Sequence, residues 1–269
     1  MIGRPVTAGD DASARARYSA PMAARKKRPR ARSSEIDLSL VIPVYNEEAI
    51  LEHQLRRLVA ELRELGRPFE VIVAANGCRD QTVPLVRELM RDLPEVVVLE
   101  LPVANYGAAL KTGILSARGR MVGCDEIDLC DVDFHKRALR RLDHDECDMV
   151  VGSKAMPGAR DKRPLTRRAA TKVITKLLWV STGFRGTDTH GLKAFVRAPL
   201  LPVVQACVVD KDLFASELVI RAARSGLRVH EIPIEVEEQR SPPIALVRRV
   251  PRVARDLVRL VAAIHLDRK

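Results

Sequence analysis

The chain has 269 residues, 46% of them hydrophobic and only 3% aromatic, with a formal charge of +11. That length suits one large domain or two small ones, with a core of Leu, Val, Ile and Ala. Five cysteines, odd in number and without a C-x-x-C pair, exclude a disulfide scaffold and a zinc ribbon and fit a reducing cytosol.

The charge is uneven. Residues 1–34 hold nine Lys/Arg and two Asp, residues 246–269 seven and two, and the stretch between is close to neutral. Basic ends suit an anionic surface, either membrane or nucleic acid. No signal-peptide apolar region opens the chain, and no apolar stretch approaches bilayer length. The expected protein is soluble or peripheral, in the cytoplasm or at the cytoplasmic face of a membrane.

Residues 1–34, with R-K-K-R-P-R-A-R at 25–32, lack an apolar period and read as a disordered basic tail. L-S-L-V-I-P-V (38–44) reads as a buried strand. Asn46 is then expected to cap a helix with Glu47 and Glu48 in its first turn, which Gly66 ends. The pattern repeats: strand 69–75, turn 76–80, helix 82–93, strand 96–101, helix 107–117, strand 121–124, helix 134–142, strand 148–152. Such alternation implies a doubly wound, mostly parallel sheet, with ligands beyond the carboxyl ends of its strands. Beyond Gly152, residues 153–164 read as a mobile loop and 166–182 as a helix. Residues 186–195 form a turn entering a strand, 213–225 a helix and 227–234 a strand. Residues 244–266 form a basic amphipathic helix that Pro251 should kink or split. Its apolar stripe, Leu246, Val250, Val253, Leu257, Leu260, Val261 and Ile264, suits either an anionic lipid surface or packing on the body.

Five carboxylates crowd into nine residues after strand 121–124: Asp125, Glu126, Asp128, Asp131 and Asp133. So many charges repel unless a cation is near. The run is therefore either an acidic solvated loop or a site for a hard divalent ion. It is not an EF-hand, since the loop glycine and closing glutamate are missing.

These segments resemble glycosyltransferase family 2, in the family's own order. L-V-I-P-V-Y-N-E-E is similar to its opening strand, and A-N-G-C-R-D-Q-T stands at its D-G-S-x-D-G-T turn. N-Y-G-A-A-L-K-T-G-I-L-S-A-R-G is similar to the helix before its metal motif. V-G-S-K, Arg167-Arg168, D-T-H-G-L-K and E-L-V-I-R-A-x-x-x-G-L-R-V-x-E-I-P resemble the polyprenyl-phosphate sugar transferases of the dolichyl-phosphate mannosyltransferase type. The resemblance implies a GT-A fold, a Rossmann-like doubly wound α/β sheet with flanking helices, over residues 35–240. A C-terminal amphipathic segment, 241–269, would follow it. It also implies a nucleoside-diphosphate sugar donor, a polyprenyl phosphate acceptor, a Mg²⁺ or Mn²⁺ ion and peripheral contact with a membrane.

Counting from Ala117-Arg118-Gly119, the family's D-x-D falls on Glu126-Ile127-Asp128, and a one-residue slip would bring in Asp125 instead. By resemblance, Glu126 and Asp128 hold the metal, while Pro43, Tyr45, Glu47, Asn76, Lys111 and Glu126 serve the nucleotide sugar. Asp80 caps or supports its turn. Asn76 and Cys78 depart from the family's usual Asp and Ser. Asp131 and Asp133 read as loop or N-cap residues. Lys154, Arg163, Arg167 and Arg168 suit the acceptor phosphate, the alternative being a solvated basic face. Asp128, Arg167, Arg168 and Asp188 form the expected catalytic set. Asp188 is also the one carboxylate base in view should the acceptor be a soluble or polysaccharide hydroxyl. A relative that binds nucleotide sugar without turnover is a further alternative. Nucleic acid is not expected, because no aromatic platform accompanies the basic tail.

Overall fold

A computed structural model describes residues 36–211, 213–236 and 246–266, the last helix by its backbone alone at 246–253 and 266. The basic tail, the Pro242-Pro243 break and the side chains of Leu246, Val250 and Val253 lie outside the described residues.

The chain alternates as β1 (38–44), α1 (48–63), β2 (69–76), α2 (82–89), β3 (96–101), α3 (106–116), β4 (121–124), α4 (132–143) and β5 (149–153). It continues with β6 (160–161), α5 (165–182), β7 (193–196), α6 (197–206), α7 (214–224), β8 (229–233), β9 (235–236) and α8 (246–266). Seven strands form one sheet in the order β3-β2-β1-β4-β7-β5-β8. Every neighbouring pair is parallel except those made by β7, which is antiparallel to both β4 and β5.

Helices cover both faces, so the central strand is buried along its whole length rather than alternating with polar residues. On one face Leu38, Leu40, Ile42 and Val44 of β1 meet Leu51, Leu55, Leu58 and Leu62 of α1. On the other, Val41 joins Leu110 and Ile114 of α3, Phe195 of β7 and Phe214 of α7. Helix α3 lies so close to β1 that a Cβ on Gly113 would fall 2.3 Å from Val41 Cγ1.

Four local expectations are corrected. Asn46 does not cap α1. It sits at φ 54°, and its Oδ1 accepts from the Arg79 N–H at 2.9 Å. The first amides of α1 are satisfied across the chain instead, Glu47 N–H by Thr82 Oγ1 at 2.8 Å and Glu48 N–H by Asp80 Oδ2 at 3.3 Å. The 153–164 stretch contains β6, which pairs in parallel with β9. Helix α6 was not expected, and it runs through Pro202. Helix α8 is not split at Pro251. Its Leu260 and Ile264 are buried in the core beside Leu257, so the described part of its apolar stripe packs on the body.

The order of strands reverses between β1 and β4. The chain leaves β1 toward β2 on one side and β4 lies on the other, so the turns after these two strands border a crevice at the carboxyl ends.

Candidate active site

Strand β4 delivers the acidic run into that crevice, and its five carboxylates divide by what they hold. Asp125 is buried at the centre of the loop. Its Oδ1 accepts from Glu126 N–H at 2.7 Å. Its Oδ2 accepts from Asp131 N–H at 3.1 Å and faces His135 Nε2 at 2.9 Å. Asp131 is the N-cap of α4, accepting from Phe134 N–H at 2.8 Å. Asp133 pairs with Arg137 one turn on, at 2.7 Å. The Glu126 and Asp128 carboxylates accept no hydrogen bond and form no ion pair among the described residues, and Ile127 between them is buried. Burial first, and then the charge of Asp128, push the Glu126 carboxyl above its ordinary pKa.

A cation would relieve that mutual repulsion. Among the described residues no three His, Cys, Asp or Glu gather as a metal cage. Two carboxylate groups completed by a diphosphate is nevertheless the donor set that Mg²⁺ and Mn²⁺ accept. The residues present fit such an ion.

Opposite the acidic loop lies a basic pair. Strand β7 places Lys193 in register with Cys124, the last residue of β4. Lys193 is buried and donates from Nζ to the Gly191 carbonyl at 2.6 Å. Burial lowers its pKa to about 8, with Cys124, Asp188, Lys154 and Glu126 the charged or titratable groups around it. Lys154, just after β5, pairs through Nζ with Asp188 at 3.3 Å. Asp188 is almost fully buried and also accepts from His190 N–H at 2.8 Å. Burial works to raise its pKa, but Lys154, His190 and the backbone donors outweigh it and hold the carboxyl below the usual range. Behind Asp188, Glu231 of β8 accepts from the Thr187 and Asp188 amides at 2.8 and 3.0 Å and fixes the turn.

The turns after β1 and β2 form the other wall. Pro43 is buried in β1 and Tyr45 is exposed beyond it. Asp80 accepts from Thr82 N–H at 3.0 Å as well as from Glu48, and so supports its turn as expected. Asn76, buried, accepts on Oδ1 from the Asn105 N–H, and Asn105 in turn caps α3 at the Ala108 N–H, 3.1 Å away. Tyr106 follows. The residue is partly exposed, and desolvation first, then the nearby acidic groups led by Glu126, push its phenol well up.

The remaining expected residues are placed as follows. Lys111 Nζ donates to the Cys207 carbonyl at 2.6 Å, at the end of α6. Arg163 forks onto Asp161 at 2.9 and 2.8 Å. Arg167 is half-buried and Arg168 exposed in the first turn of α5. Lys193, Tyr106 and His135 were not singled out from sequence. Lys193 stands within the D-T-H-G-L-K segment, but only the antiparallel insertion of β7 brings it to Cys124.

A model of glycosyl transferase family 2 matches residues 39–201. The chain is 28% identical over 242 residues to glycosyltransferase AglD of Haloferax volcanii, covering 87% of this chain and 38% of that protein. It is 28% identical to dolichyl-phosphate beta-glucosyltransferase ALG5A of Trichomonas vaginalis, covering 76% of this chain and 67% of the other. It is 42% identical over 182 residues to an undecaprenyl-phosphate 4-deoxy-4-formamido-L-arabinose transferase of Pseudomonas paraeruginosa, covering 64% and 50%. The chain thus spans only 38% to 67% of these relatives' lengths. In structure it resembles glucosyl-3-phosphoglycerate synthase from Mycobacterium tuberculosis in complex with Mn²⁺, UDP-glucose and phosphoglyceric acid. There the TM-score is 0.60 at 18% identity, over 84% of this chain and 80% of that one.

Proposed function

The chain belongs to glycosyl transferase family 2, and from that premise we propose that it moves a sugar from a nucleoside-diphosphate donor to a polyprenyl phosphate, dependent on Mg²⁺ or Mn²⁺. One observation carries the reading. Of five carboxylates in the acidic loop, those of Glu126 and Asp128 alone have no hydrogen-bond or ion-pair partner among the described residues, and they stand across from Lys154 and Lys193. The relatives named for dolichyl phosphate and undecaprenyl phosphate support the acceptor class. The neighbour complexed with Mn²⁺ and UDP-glucose supports the donor class and the metal.

Glu126 and Asp128 would hold the ion, which when bound neutralises charge on the leaving diphosphate. Pro43, Tyr45, Glu47 and Asn76 line the nucleoside side. The acceptor needs no general base, because a phosphomonoester with a second pKa of about 6 is already an anionic nucleophile near neutral pH. Two anions must instead be brought together, which requires fixed cations in a partly buried setting. Lys154 and Lys193 supply them from within the crevice, and Arg167 and Arg168 from the first turn of α5. Asp188 is committed to Lys154 and orients it rather than accepting a proton from substrate.

Helix α5 is the face for the lipid. Leu165, Val173, Leu177 and Val180 are exposed at 76%, 59%, 47% and 82%. They share one side of the helix, bordered by Arg168, Lys172 and Lys176, while Leu178 and Thr182 on the opposite side are buried. An apolar stripe edged by cations suits an anionic bilayer surface. No helix among the described residues is long and apolar enough to cross a membrane.

Purified protein incubated with radiolabelled nucleotide sugars, Mn²⁺ and polyprenyl phosphate should yield label that extracts into organic solvent, and Asp128→Ala should not. Label appearing only in a water-soluble product would replace the acceptor class. Donor binding without turnover, unaffected by Asp128→Ala, would sink the enzyme reading.

A further inference from the structure

The acidic loop is wound around one buried carboxylate, and that carboxylate is held by a histidine from the next helix. Asp125 accepts the amide of Glu126, the first of the two uncommitted residues, and the amide of Asp131, which closes the loop. Between them Glu126 O accepts from the Leu129 and Cys130 amides, both at 3.0 Å, so the loop makes one tight turn. Cys130 completes it at φ 46°. His135 is fully buried in α4 and stands edge-on to Phe134, ring centroids 5.1 Å apart. An ionised carboxylate only accepts, so the ring presents Nε2–H to Asp125. Nδ1 then has no hydrogen-bond partner among the described residues. It faces Gly123 of β4, where a Cβ would lie 3.1 Å from Nδ1 and 2.9 Å from Cε1. A glycine in the strand, a histidine in the helix and an aspartate between them thus form one unit beneath the site.

We propose that Asp125 and His135 are positioning residues that set the spacing of the Glu126 and Asp128 carboxylates, and through it the affinity for a divalent cation, without touching the cation. The inference rests on the proposed metal role of Glu126 and Asp128. The physical reason is pre-organisation. Two carboxylates repel and would swing apart on a free loop, so a rigid anchor under the turn holds them close before the ion arrives. The anchor restrains the loop through backbone amides, which is where a constraint on both carboxylates has to act. Three hydrogen bonds already occupy most of the roughly four lone-pair sites of the Asp125 carboxylate, which disfavours the alternative register.

The test measures Mn²⁺ binding directly, by the electron paramagnetic resonance signal of free Mn²⁺, with protein alone and with UDP. Melting midpoints and metal-free UDP affinity are taken alongside, and each variant is studied below its own midpoint. Asp125→Asn keeps the volume but turns an amide N–H toward a donor. His135→Ala removes the anchor, and His135→Gln restores a donor near the same place. Asp125→Asn and His135→Ala should weaken Mn²⁺ binding by about 10- to 100-fold, as loss of a group behind a metal ligand does. Metal-free UDP affinity should stay unchanged, and His135→Gln should recover most of the loss. Binding within about twofold of wild type for both damaging variants overturns this inference alone, as does His135→Gln behaving like His135→Ala. Absence of Mn²⁺ uptake by the wild-type protein overturns the metal reading and this inference with it.

Discussion

The Glu126 and Asp128 carboxylates differ from their three acidic neighbours in having no partner among the described residues, and the proposed metal role rests on that difference. If they bind the ion, Glu126→Asp should retain activity, because the shorter side chain remains an oxygen ligand. Asp128→Asn should lose more than about 100-fold in turnover, exceeding what loss of an outer partner does. Steady-state rates over a Mn²⁺ titration check both, and equal damage from the two would count against the pairing. Lys193 supports a second prediction. Burial holds its pKa at about 8, below an ordinary value of about 10.4. Below pH 8 both folded and unfolded states carry the proton, and the burial penalty is fully present. Between about 8 and 10.4 the unfolded state binds more protons, so this group makes stability rise with pH. Lys193→Met removes that contribution, so wild type should gain stability relative to the variant as pH rises from about 7.5 to 10. Urea denaturation across the range measures it, and a constant gap would refute the assignment. The crowding of five carboxylates was legible in sequence. The N-cap duty of Asp131 was legible too, but the anchoring place of Asp125 was not, because it depends on which amides the folded loop turns toward it.

At the scale of elements, the helices that face both core layers were readable and the irregular pieces were not. Helix α1 announces itself by Leu51, Leu55, Leu58 and Leu62. Strands β6 and β9, two residues each, have no room for a period, and helix α6 is masked by Pro199 and Pro202. Of the two expectations for the C-terminal helix, packing on the body holds for its described part. The arginine-rich α8 packs Leu260 and Ile264 inward, and α5 leaves its apolar side in solvent. Val173→Asp with Val180→Asp should therefore reduce sedimentation with anionic vesicles by about tenfold or more, since each buried aliphatic chain contributes about 1.5 kcal/mol or more. UDP binding should remain intact, and unchanged sedimentation would remove α5 as the lipid face. Helix α7 depends on a buried acid for its seating. Glu217 accepts from Val208 N–H at 2.9 Å, Val209 N–H at 2.6 Å and Arg221 Nε at 2.6 Å. Glu217→Ala should destabilise the fold by about 3–5 kcal/mol, the penalty of breaking a buried pair. Equilibrium denaturation gives that number directly, and a loss below about 1 kcal/mol would show that α7 is seated by packing alone.

For the molecule as a whole, the first four strands followed from alternation alone, because each right-handed crossover puts the next parallel strand where the pattern says. The second half did not, because β7 enters between β4 and β5 from a sequence that shows no sign of its direction. The tight crossing there explains one residue: a Cβ on Gly191 would lie 1.7 Å from the Gly152 carbonyl. Gly191→Ala should therefore fail to accumulate as folded protein, and recovery of soluble, protease-resistant material checks it.

That inserted strand also sets an order of events during synthesis. Residues 38–133 supply the four strands of the β3-β2-β1-β4 half and the acidic loop at its rim, and they leave the ribosome first. The far edge of β4 then stays open, and β5 stays unjoined, until residue 196 has emerged some seventy residues after β4. In that interval the loop's negative charge has no Lys193 opposite it, and an unpaired strand edge is presented to other nascent chains. A stalled chain ending near residue 180 is thus the species in which this protein is most exposed to mispairing.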